Sequence, residues 1–209
     1  MKITVFGATG RTGQHIVRQA LAAGHQVIAF ARTPSKLQIQ HQRLTVVQGD
    51  VQDRAQVEEA VAGADAVISV LAPTHTNSPF QVSRGTQNIL AAMKKHGVRR
   101  LVISAGAGVG DPNDAPQLIH KLINVLIKLT SRLVYEDIKR TVDIVRASDL
   151  DWVIVRAPRL VDSPATGRVK VGYVGKGMGF TLTRGDLADF MLKQVQDDTY
   201  LHKAPAISN

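Results

Sequence analysis

Three glycines near the start of the chain carry its clearest chemical signal. Gly7, Gly10 and Gly13 are spaced Gly-x-x-Gly-x-x-Gly, after a β-branched run and before a helical pattern. In that context the first glycine permits a tight turn, the second lets the backbone approach a pyrophosphate, and the third lets a helix pack closely on a sheet. The motif predicts a dinucleotide site at a helix N-terminus, with a plain glycine-rich turn as the alternative. Further candidate ligands in the same turn are Thr9, Arg11 and Thr12.

The end of the second predicted strand, Gln26–Phe30, indicates which nucleotide is preferred. At this position an acid accepts from a ribose 2′-hydroxyl and favours NAD, whereas an arginine accommodates a 2′-phosphate and favours NADP. Arg32 stands there, no acid does, and Lys36 follows four residues later. The pair predicts NADP(H); the alternative is two solvated surface cations.

The third and fourth predicted strands end in further candidate cofactor contacts. Leu44–Val51 ends in Asp50 and Val51, which are placed to frame an adenine ring; Asp50 is equally suited to cap the helix Arg54–Val61 or to close its own turn. The fourth predicted strand, Asp65–Pro73, has an apolar centre typical of a parallel strand covered on both faces. Its carboxyl end, where ligands bind in such folds, is Leu71, Ala72 and Pro73.

Candidate catalytic residues lie farther along the chain. Ser104 ends the fifth predicted strand, Leu101–Ser104, and is placed to hydrogen-bond a nicotinamide or a substrate, or simply a backbone group. Tyr135 and Lys139 stand four residues apart on one helical face. In the main short-chain dehydrogenases that spacing joins a phenol that donates a proton to a lysine that lowers its pKa; it is also a frequent coincidence on helices.

One unusually apolar helix is predicted from Gln117 to about Val145. The favoured interpretation is a helix packed on the sheet, and the alternative is an exposed apolar face that lines a substrate cleft or mediates self-association. Its apolar face comprises Leu118, Ile119, Leu122, Ile123, Leu126, Ile127, Leu129 and Leu133, and its polar stripe Lys121, Asn124, Lys128 and Arg132.

Strands and helices alternate throughout, which predicts an α/β fold: a single-domain, doubly wound parallel sheet over residues 1–209, with the substrate cleft at its carboxyl edge. The chain has no cysteine, which excludes disulfides and zinc–thiolate sites, and no metal site is expected. We expect neither a signal peptide nor a membrane span, because the N-terminus is a core strand and no run of 18 apolar residues occurs. The net charge of +9 is scattered and aromatics are few, so a nucleic-acid partner is not expected.

These residues occur in an order that resembles the atypical short-chain dehydrogenase/reductase group. Within it the chain is most similar to the biliverdin-IXβ reductase/flavin reductase-like branch, with NmrA-like proteins as near relatives. The resemblance covers essentially the whole chain and is specific for the nucleotide site. It rests on Gly7-Ala-Thr-Gly-Arg-Thr-Gly13, Arg32, Gly49-Asp50-Val51, Val70-Leu71-Ala72, Leu150-Asp151-Trp152 and Arg156-Ala157-Pro158.

The resemblance implies NADP(H) bound across the carboxyl edge, with the glycine turn on the pyrophosphate and the two cations on the 2′-phosphate. By the same carry-over, the nicotinamide ribose and ring would be surrounded by Leu71, Ala72, Ser104, Pro158 and Arg159. The sixth predicted strand and its exit are Asp151–Arg159. The reductase branch carries a serine in the loop after the fifth strand and a histidine after the proline that ends the sixth strand. Here Gly106 and Arg159 stand at those places. The proton relay of that branch is therefore not carried over.

The sequence thus predicts a cytoplasmic, NADPH-dependent reductase that transfers hydride to a planar acceptor of the flavin or tetrapyrrole class. If the acceptor is a flavin, solvent can supply the proton. A non-catalytic NADP(H)-binding sensor is the main alternative. A sugar-nucleotide epimerase-like enzyme is a weaker one, because 209 residues leave little room for a separate substrate domain. The expected assembly is a monomer or weak homodimer without a nucleic-acid or membrane partner.

Overall fold

A computed structural model of the chain describes residues 1–73 and 79–209. The strands are β1 (Lys2–Phe6), β2 (Gln26–Ala31), β3 (Leu44–Gln48), β4 (Ala66–Ser69), β5 (Arg100–Gly106), β6 (Asp151–Ala157), β7 (Arg159–Val161), β8 (Lys170–Gly172), β9 (Thr181–Thr183) and β10 (Ala206–Ser208). The helices are α1 (Arg11–Ala22), α2 (Arg54–Val61), α3 (Gln81–His96), α4 (Leu118–Thr130), α5 (Arg132–Arg146) and α6 (Arg184–Lys193), with a 3₁₀ turn at Pro34–Lys36.

The main sheet has the strand order β3-β2-β1-β4-β5-β6-β10-β8. All neighbouring strands in it are parallel except β8, which runs antiparallel to β10. The first six positions repeat the 3-2-1-4-5-6 order of doubly wound dinucleotide folds. The predicted α/β fold class is therefore confirmed.

The central strands are apolar because helices cover both faces of the sheet. On one face, Ile16 and Val17 of α1 pack with Leu187 of α6 in one buried cluster. On the other face, Val57 of α2 and Ile89 of α3 belong to a second buried cluster. Every residue of β4 is buried, which explains why this strand shows no polar alternation.

The prediction of one continuous helix from Gln117 to Val145 is wrong. The chain breaks at Ser131, which is not helical (φ −142°, ψ 43°), and α4 and α5 are separate helices. Hydroxyl side chains compete for backbone groups and favour such breaks, and Thr130 Oγ1 donates to Leu126 O at 2.9 Å. The break lets α5 bury Asp137, Thr141, Val142 and Val145.

The favoured prediction that this apolar stretch packs on the sheet is also wrong for α4. Leu118, Leu122 and Leu129 are 78%, 66% and 79% exposed. Among the described residues, α4 packs chiefly against α5 rather than against any strand. The second interpretation, an exposed apolar face, is the one that agrees with the structure.

Several element ends differ from the predictions. The strand β3 ends at Gln48, before Asp50, and β5 continues two residues past Ser104 to Gly106. The strands β7, β9 and β10 were not predicted, because three-residue strands are too short to show an alternating pattern. Pairing of β7 with β9 forms a small second sheet directly after Pro158.

Candidate functional site

A cleft of about 250 Å³ opens where β1, β2, β3 and β4 end, at the carboxyl edge of the main sheet. It brings together nine of the residues that the sequence proposes for cofactor binding: Gly7, Thr9, Gly10, Arg32, Lys36, Asp50, Val51, Leu71 and Ala72. The other lining residues are Phe30, Ala31, Thr33, Gly49, Val70, Gln81 and Val82.

The glycine turn after β1 is packed too tightly for side chains at two of its positions. Gly7 has a φ of +82°, and a Cβ there would lie 2.9 Å from the carbonyl oxygen of Val70. A Cβ on Gly13 would lie only 2.1 Å from the carbonyl oxygen of Gly7. Gly10 N donates to Gly7 O at 3.0 Å and closes the turn. The first and third glycines are therefore required by the fold itself.

The start of α1 leaves backbone donors for an outside acceptor. Gly10 is the N-cap, no side chain caps the helix, and the first turn carries no acid. The first N–H groups of a helix have no partner within the helix, and together with the helix dipole they favour an anion. With Gly7, Thr9 and Gly10 lining the cleft, this end of α1 has the donor chemistry that a pyrophosphate requires.

Two cations border the cleft beyond β2. Arg32 and Lys36 both line it, and both are exposed. Neither forms an ion pair with an acid in residues 1–73 or 79–209. Arg32 also lines a second, more open pocket together with Gln48, Gly49, Asp50 and Gln56. Asp50 lines the same cleft but lies in no ion pair with either cation. A phosphate dianion at this place would meet both positive charges.

The floor of the cleft near Asp50 is built by close packing. A Cβ on Gly49 would lie 2.6 Å from the Phe30 ring, and one on Gly85 of α3 would lie 2.5 Å from Val51. Asp50 does not cap α2: Asp53 does, by accepting from Ala55 N and Gln56 N. Asp50 Oδ1 instead accepts from Gln52 N at 2.9 Å and closes its own turn.

The N-terminus of α3 forms another wall, and sequence reasoning missed it. Gln81 and Val82 line the cleft, and the N-cap residue Phe80 has a left-handed φ of 61°. The buried carboxylate of Asp137 on α5 accepts from Val82 N at 3.0 Å and Ser83 N at 2.8 Å. The signal was present in the sequence, because a helix that starts after β4 starts at the carboxyl edge.

A family profile described as NAD(P)H-binding matches residues 7–198. The chain belongs to this NAD(P)H-binding family. Its curated relatives include the 2-alkyl-3-oxoalkanoate reductase of Stenotrophomonas maltophilia (35% identical over 114 residues; 52% of this chain, 34% of the relative). Another is cinnamoyl-CoA reductase 1 of Oryza sativa subsp. japonica (31% over 130 residues; 56% and 38%). The chain thus spans about a third of the length of these relatives.

Solved structures agree on the fold. A short-chain dehydrogenase/reductase from Veillonella parvula in complex with NADP superposes with a TM-score of 0.83 at 17% identity, over 100% of this chain and 94% of the other. ChuY, an anaerobillin reductase from Escherichia coli O157:H7, gives 0.79 at 19% identity, over 100% and 97%. At these identities the likeness extends to the NAD(P)H-binding fold alone.

Arg11 of this NAD(P)H-binding protein does not line the cleft. Its guanidinium pairs with Asp162 at 2.9 Å, and the other carboxylate oxygen of Asp162 accepts from Arg184 at 2.6 Å. Thr12 and Gly13 follow Arg11 in the first turn of α1, and Gly13 is buried. Of the predicted pyrophosphate ligands, only Gly10 lines the cleft, whereas Arg11 pairs with Asp162 just after β7. Neither Thr12 nor Gly13 is among the residues that line it.

Of the five residues proposed to surround the nicotinamide, Leu71 and Ala72 line the cleft, whereas the other three lie on β5 and just after β6. Ser104 is half-buried in β5 and is in register with Val155 of β6. Ala107 N donates to Ala157 O at 2.7 Å, so the loop after β5 lies beside the end of β6. Pro158 follows half-buried, and Arg159 is exposed at the start of β7. None of these three residues lines the 250 Å³ cleft, which lies over β1 to β4.

Tyr135 and Lys139 share α5, but the lysine has another partner. Lys139 Nζ lies 2.6 Å from the Asp143 carboxylate, and this hydrogen bond raises the pKa of Lys139 above its ordinary value. Lys139 is exposed and Tyr135 is half-buried. A lysine that pairs with an acid is less suited to lowering the pKa of a phenol.

The loop after β5 is held by a buried ion pair that sequence reasoning also missed. Arg156 of β6 is fully buried and donates to both oxygens of Asp114, at 2.7 and 2.8 Å. Burial alone would raise the pKa of Asp114, but hydrogen bonds from Arg156 and from backbone N–H groups outweigh it and hold the pKa below its ordinary value. Arg156 belongs to the segment Arg156-Ala157-Pro158 that supports the family resemblance, but its carboxylate partner lies 42 residues away in the sequence.

Proposed function

We propose that this protein is an NADP(H)-dependent reductase of the biliverdin-IXβ reductase/flavin reductase-like branch, and that its acceptor is a planar ring system such as a flavin. The observation that carries the proposal is the composition of one cleft. It joins the glycine turn and the cations Arg32 and Lys36, which form no ion pair within residues 1–73 and 79–209, to the apolar segment Leu71-Ala72 after β4. That is the order of groups that an NADP molecule requires along the carboxyl edge of such a sheet.

The residues of the cleft fit the parts of that cofactor. The first turn of α1 would hold the pyrophosphate, and Arg32 and Lys36 would hold the 2′-phosphate. Asp50 and Val51 would border the adenine. When bound, NADPH supplies a hydride from its nicotinamide ring. A side chain at Gly10 would occupy the approach to the helix N-terminus, which is consistent with a backbone cradle.

The acceptor would lie beside the cleft, over β4, β5 and β6. Leu71, Ala72 and Pro73, the loop 105–110, and Pro158 with Arg159 would border it. These segments supply small or apolar groups and one fixed cation, and Ser104 directly precedes the loop. A flat ring with an anionic tail suits them, whereas a sugar needs several polar partners. The protein would then act mainly by orienting two rings and excluding water between them.

No acid is required for this reaction if the acceptor is a flavin, because solvent protons reach a reduced flavin directly. Arg159 stays protonated and so cannot transfer a proton to the acceptor as an acid. Lys139 is paired with the carboxylate of Asp143. The reductase names carried by relatives that match this chain support the reaction class. They leave the acceptor open, since each of those longer proteins has its own.

The test is NADPH oxidation by the purified protein with FMN, FAD or riboflavin as acceptor. We expect turnover with at least one flavin and a strong preference for NADPH over NADH. The matched control is Gly10→Val, which should remove both cofactor binding and turnover. Tight NADPH binding without turnover on any flavin or tetrapyrrole would contradict the reductase and favour an NADP(H) sensor.

Arg159→Ala tests where the acceptor lies. We expect this substitution to weaken the binding of FMN, which carries a phosphate, more than the binding of riboflavin, which does not. Because Arg159 is exposed, solvent screening limits the expected difference to a few-fold. Equal effects on both flavins in steady-state kinetics would show that Arg159 does not contact the acceptor tail.

A further inference from the structure

The helix α4 presents an apolar face to solvent. The exposed apolar side chains are Leu118, Ile119, Leu122, Val125, Leu126, Leu129 and, just beyond the helix, Leu133. The least exposed of them, Ile119, is still 48% exposed. Contiguous apolar patches of this kind on a protein surface mark a binding face.

The charge of the same segment has one sign. Between Asp114 and Glu136 the sequence contains Lys121, Lys128 and Arg132 and no acid. Arg132 pairs with Glu136 at 2.7 Å, and the sequence of α4 itself contains two lysines and no acid. The whole chain, with these lysines included, carries a net charge of +9. A partner surface that matches this face would be apolar in the middle and negatively charged around it.

We propose that α4 binds an anionic lipid surface, with its leucines inserted between the headgroups and its lysines near the lipid phosphates. Amphipathic cationic helices rich in leucine bind membranes in this way. With 13 residues, α4 is about 20 Å long, shorter than the roughly 30 Å of a bilayer core. Among residues 1–73 and 79–209, no helix has the length and hydropathy that a crossing requires. The helix would therefore lie in the interface, a mode that the sequence-based expectation of no membrane partner did not consider.

A second copy of the chain fits this face less well. A two-fold contact would bring the same acid-free segments together, and like charges oppose that. An anionic lipid surface lacks this repulsion.

The experiment is co-sedimentation of the full chain with vesicles of phosphatidylcholine, with or without phosphatidylglycerol. We expect binding only to the anionic vesicles, weakened when NaCl is raised from about 0.1 M to about 0.5 M. Leu122→Glu with Leu126→Glu should lower the partition coefficient by more than about tenfold, since each leucine loses its apolar burial. Lys121→Gln with Lys128→Gln should lower it by roughly thirtyfold through charge alone.

Val46→Glu is the matched control, because Val46 is a 39% exposed apolar residue on β3, the edge strand four positions away from β5, the strand that precedes α4 in the chain. It should bind vesicles like the parent protein. Absence of binding to anionic vesicles, or binding that the two leucine substitutions leave unchanged, would overturn the proposal. So would a dimer in sedimentation velocity that the same substitutions dissociate, because the face would then belong to a second copy. None of these readouts depends on reductase activity.

Discussion

The guanidinium of Arg156 and the carboxylate of Asp114 form a bidentate ion pair inside the protein, at 2.7 and 2.8 Å. Arg156 also donates to Ala204 O and Val109 O. Asp114 also accepts from the backbone N–H groups of Asp111 and Val174. One pair thus ties the loop after β5 to β6 and to the chain around β8 and β10. That loop borders the proposed acceptor position, so the pair is expected to keep it in place.

Asp114→Ala should destabilise the protein by about 3–5 kcal/mol, because it leaves a fully buried guanidinium without its counter-charge. The double variant Asp114→Leu with Arg156→Met should cost less than Asp114→Ala alone, since both charges are gone. Urea unfolding of the three variants gives these values. Glu136→Ala, which breaks the exposed pair with Arg132, is the control and should change little. Equal losses for Asp114→Ala and Glu136→Ala would show that the buried pair is not structural.

Two buried carboxylates predict how stability depends on pH. For Asp114 and Asp186 burial favours a higher pKa, but their hydrogen bonds outweigh it and both pKa values are lowered. Asp186 accepts from Thr166 N at 2.8 Å, Gly167 N at 2.9 Å and Thr183 Oγ1 at 2.7 Å. A lowered folded-state pKa gives stability that is complete above the unfolded value, about 3.9, and is lost as the pH falls through the folded value.

We therefore expect the free energy of unfolding to fall steeply below about pH 4, as these two carboxylates are protonated. Asp186→Asn should lower stability at neutral pH and make the acid limb shallower, because one proton-linked group is removed. Urea unfolding at a series of pH values measures both. Parallel pH curves for the parent and Asp186→Asn would mean that Asp186 does not titrate with folding.

Cofactor selection can be tested at the end of β2. Arg32→Ala should lower the affinity for NADPH by roughly tenfold or more, since a charge-assisted hydrogen bond contributes ~1.5–3 kcal/mol. The affinity for NADH, which has no 2′-phosphate, should stay nearly unchanged. Lys36→Ala should act in the same direction. Calorimetric titration with both nucleotides is the measurement. Arg168→Ala, at an exposed arginine that does not line the cleft, controls for net charge. Equal affinity of the parent protein for NADPH and NADH would contradict the NADP assignment.

The sheet and one side of the site could be predicted from the sequence because their signals are local. The strand β1, the glycine turn and α1 are adjacent in the chain, and each glycine has a steric role there. Arg32 and Leu71, which lie just past β2 and β4, were predicted from the rule that ligands bind at the carboxyl edge of the sheet. The structure places these segments around one cleft.

What could not be predicted depends on residues that are distant in sequence. Asp137 holds the start of α3 from 55 residues away, and Asp114 meets Arg156 across 42 residues. Periodicity cannot show such partners. The apolar pattern of residues 117–145 is visible in the sequence, but hydrophobicity alone favours the interpretation that this face is buried on the sheet. A helix that packs chiefly on α5 and exposes its leucines has the same pattern as a buried one.

Tyr135→Phe should leave flavin reduction within about fivefold of the parent rate, because hydride transfer to a flavin needs no phenolic proton. The pairing of Lys139 with Asp143 supports this expectation. Steady-state kinetics with NADPH and the preferred flavin is the measurement, and Lys139→Gln should behave alike. A hundredfold loss of kcat with unchanged cofactor affinity would instead assign Tyr135 and Lys139 the roles of catalytic acid and pKa tuner.

Gly10 and Gly13 should respond to substitution in opposite ways. A Cβ on Gly13 would lie 2.1 Å from a backbone oxygen that cannot move aside, so Gly13→Ala should destabilise the fold by ~3 kcal/mol or more. Gly10 is exposed, has an ordinary φ of −71°, and a Cβ there would meet only Gly7 O at 3.2 Å. Gly10→Val should therefore fold with a loss of about 1 kcal/mol or less. Yet it should abolish NADPH binding, because the side chain occupies the approach to the first turn of α1. Urea unfolding and calorimetric titration of both variants separate the two effects, and NADPH affinity retained within about twofold in Gly10→Val would show that the pyrophosphate does not bind at this turn.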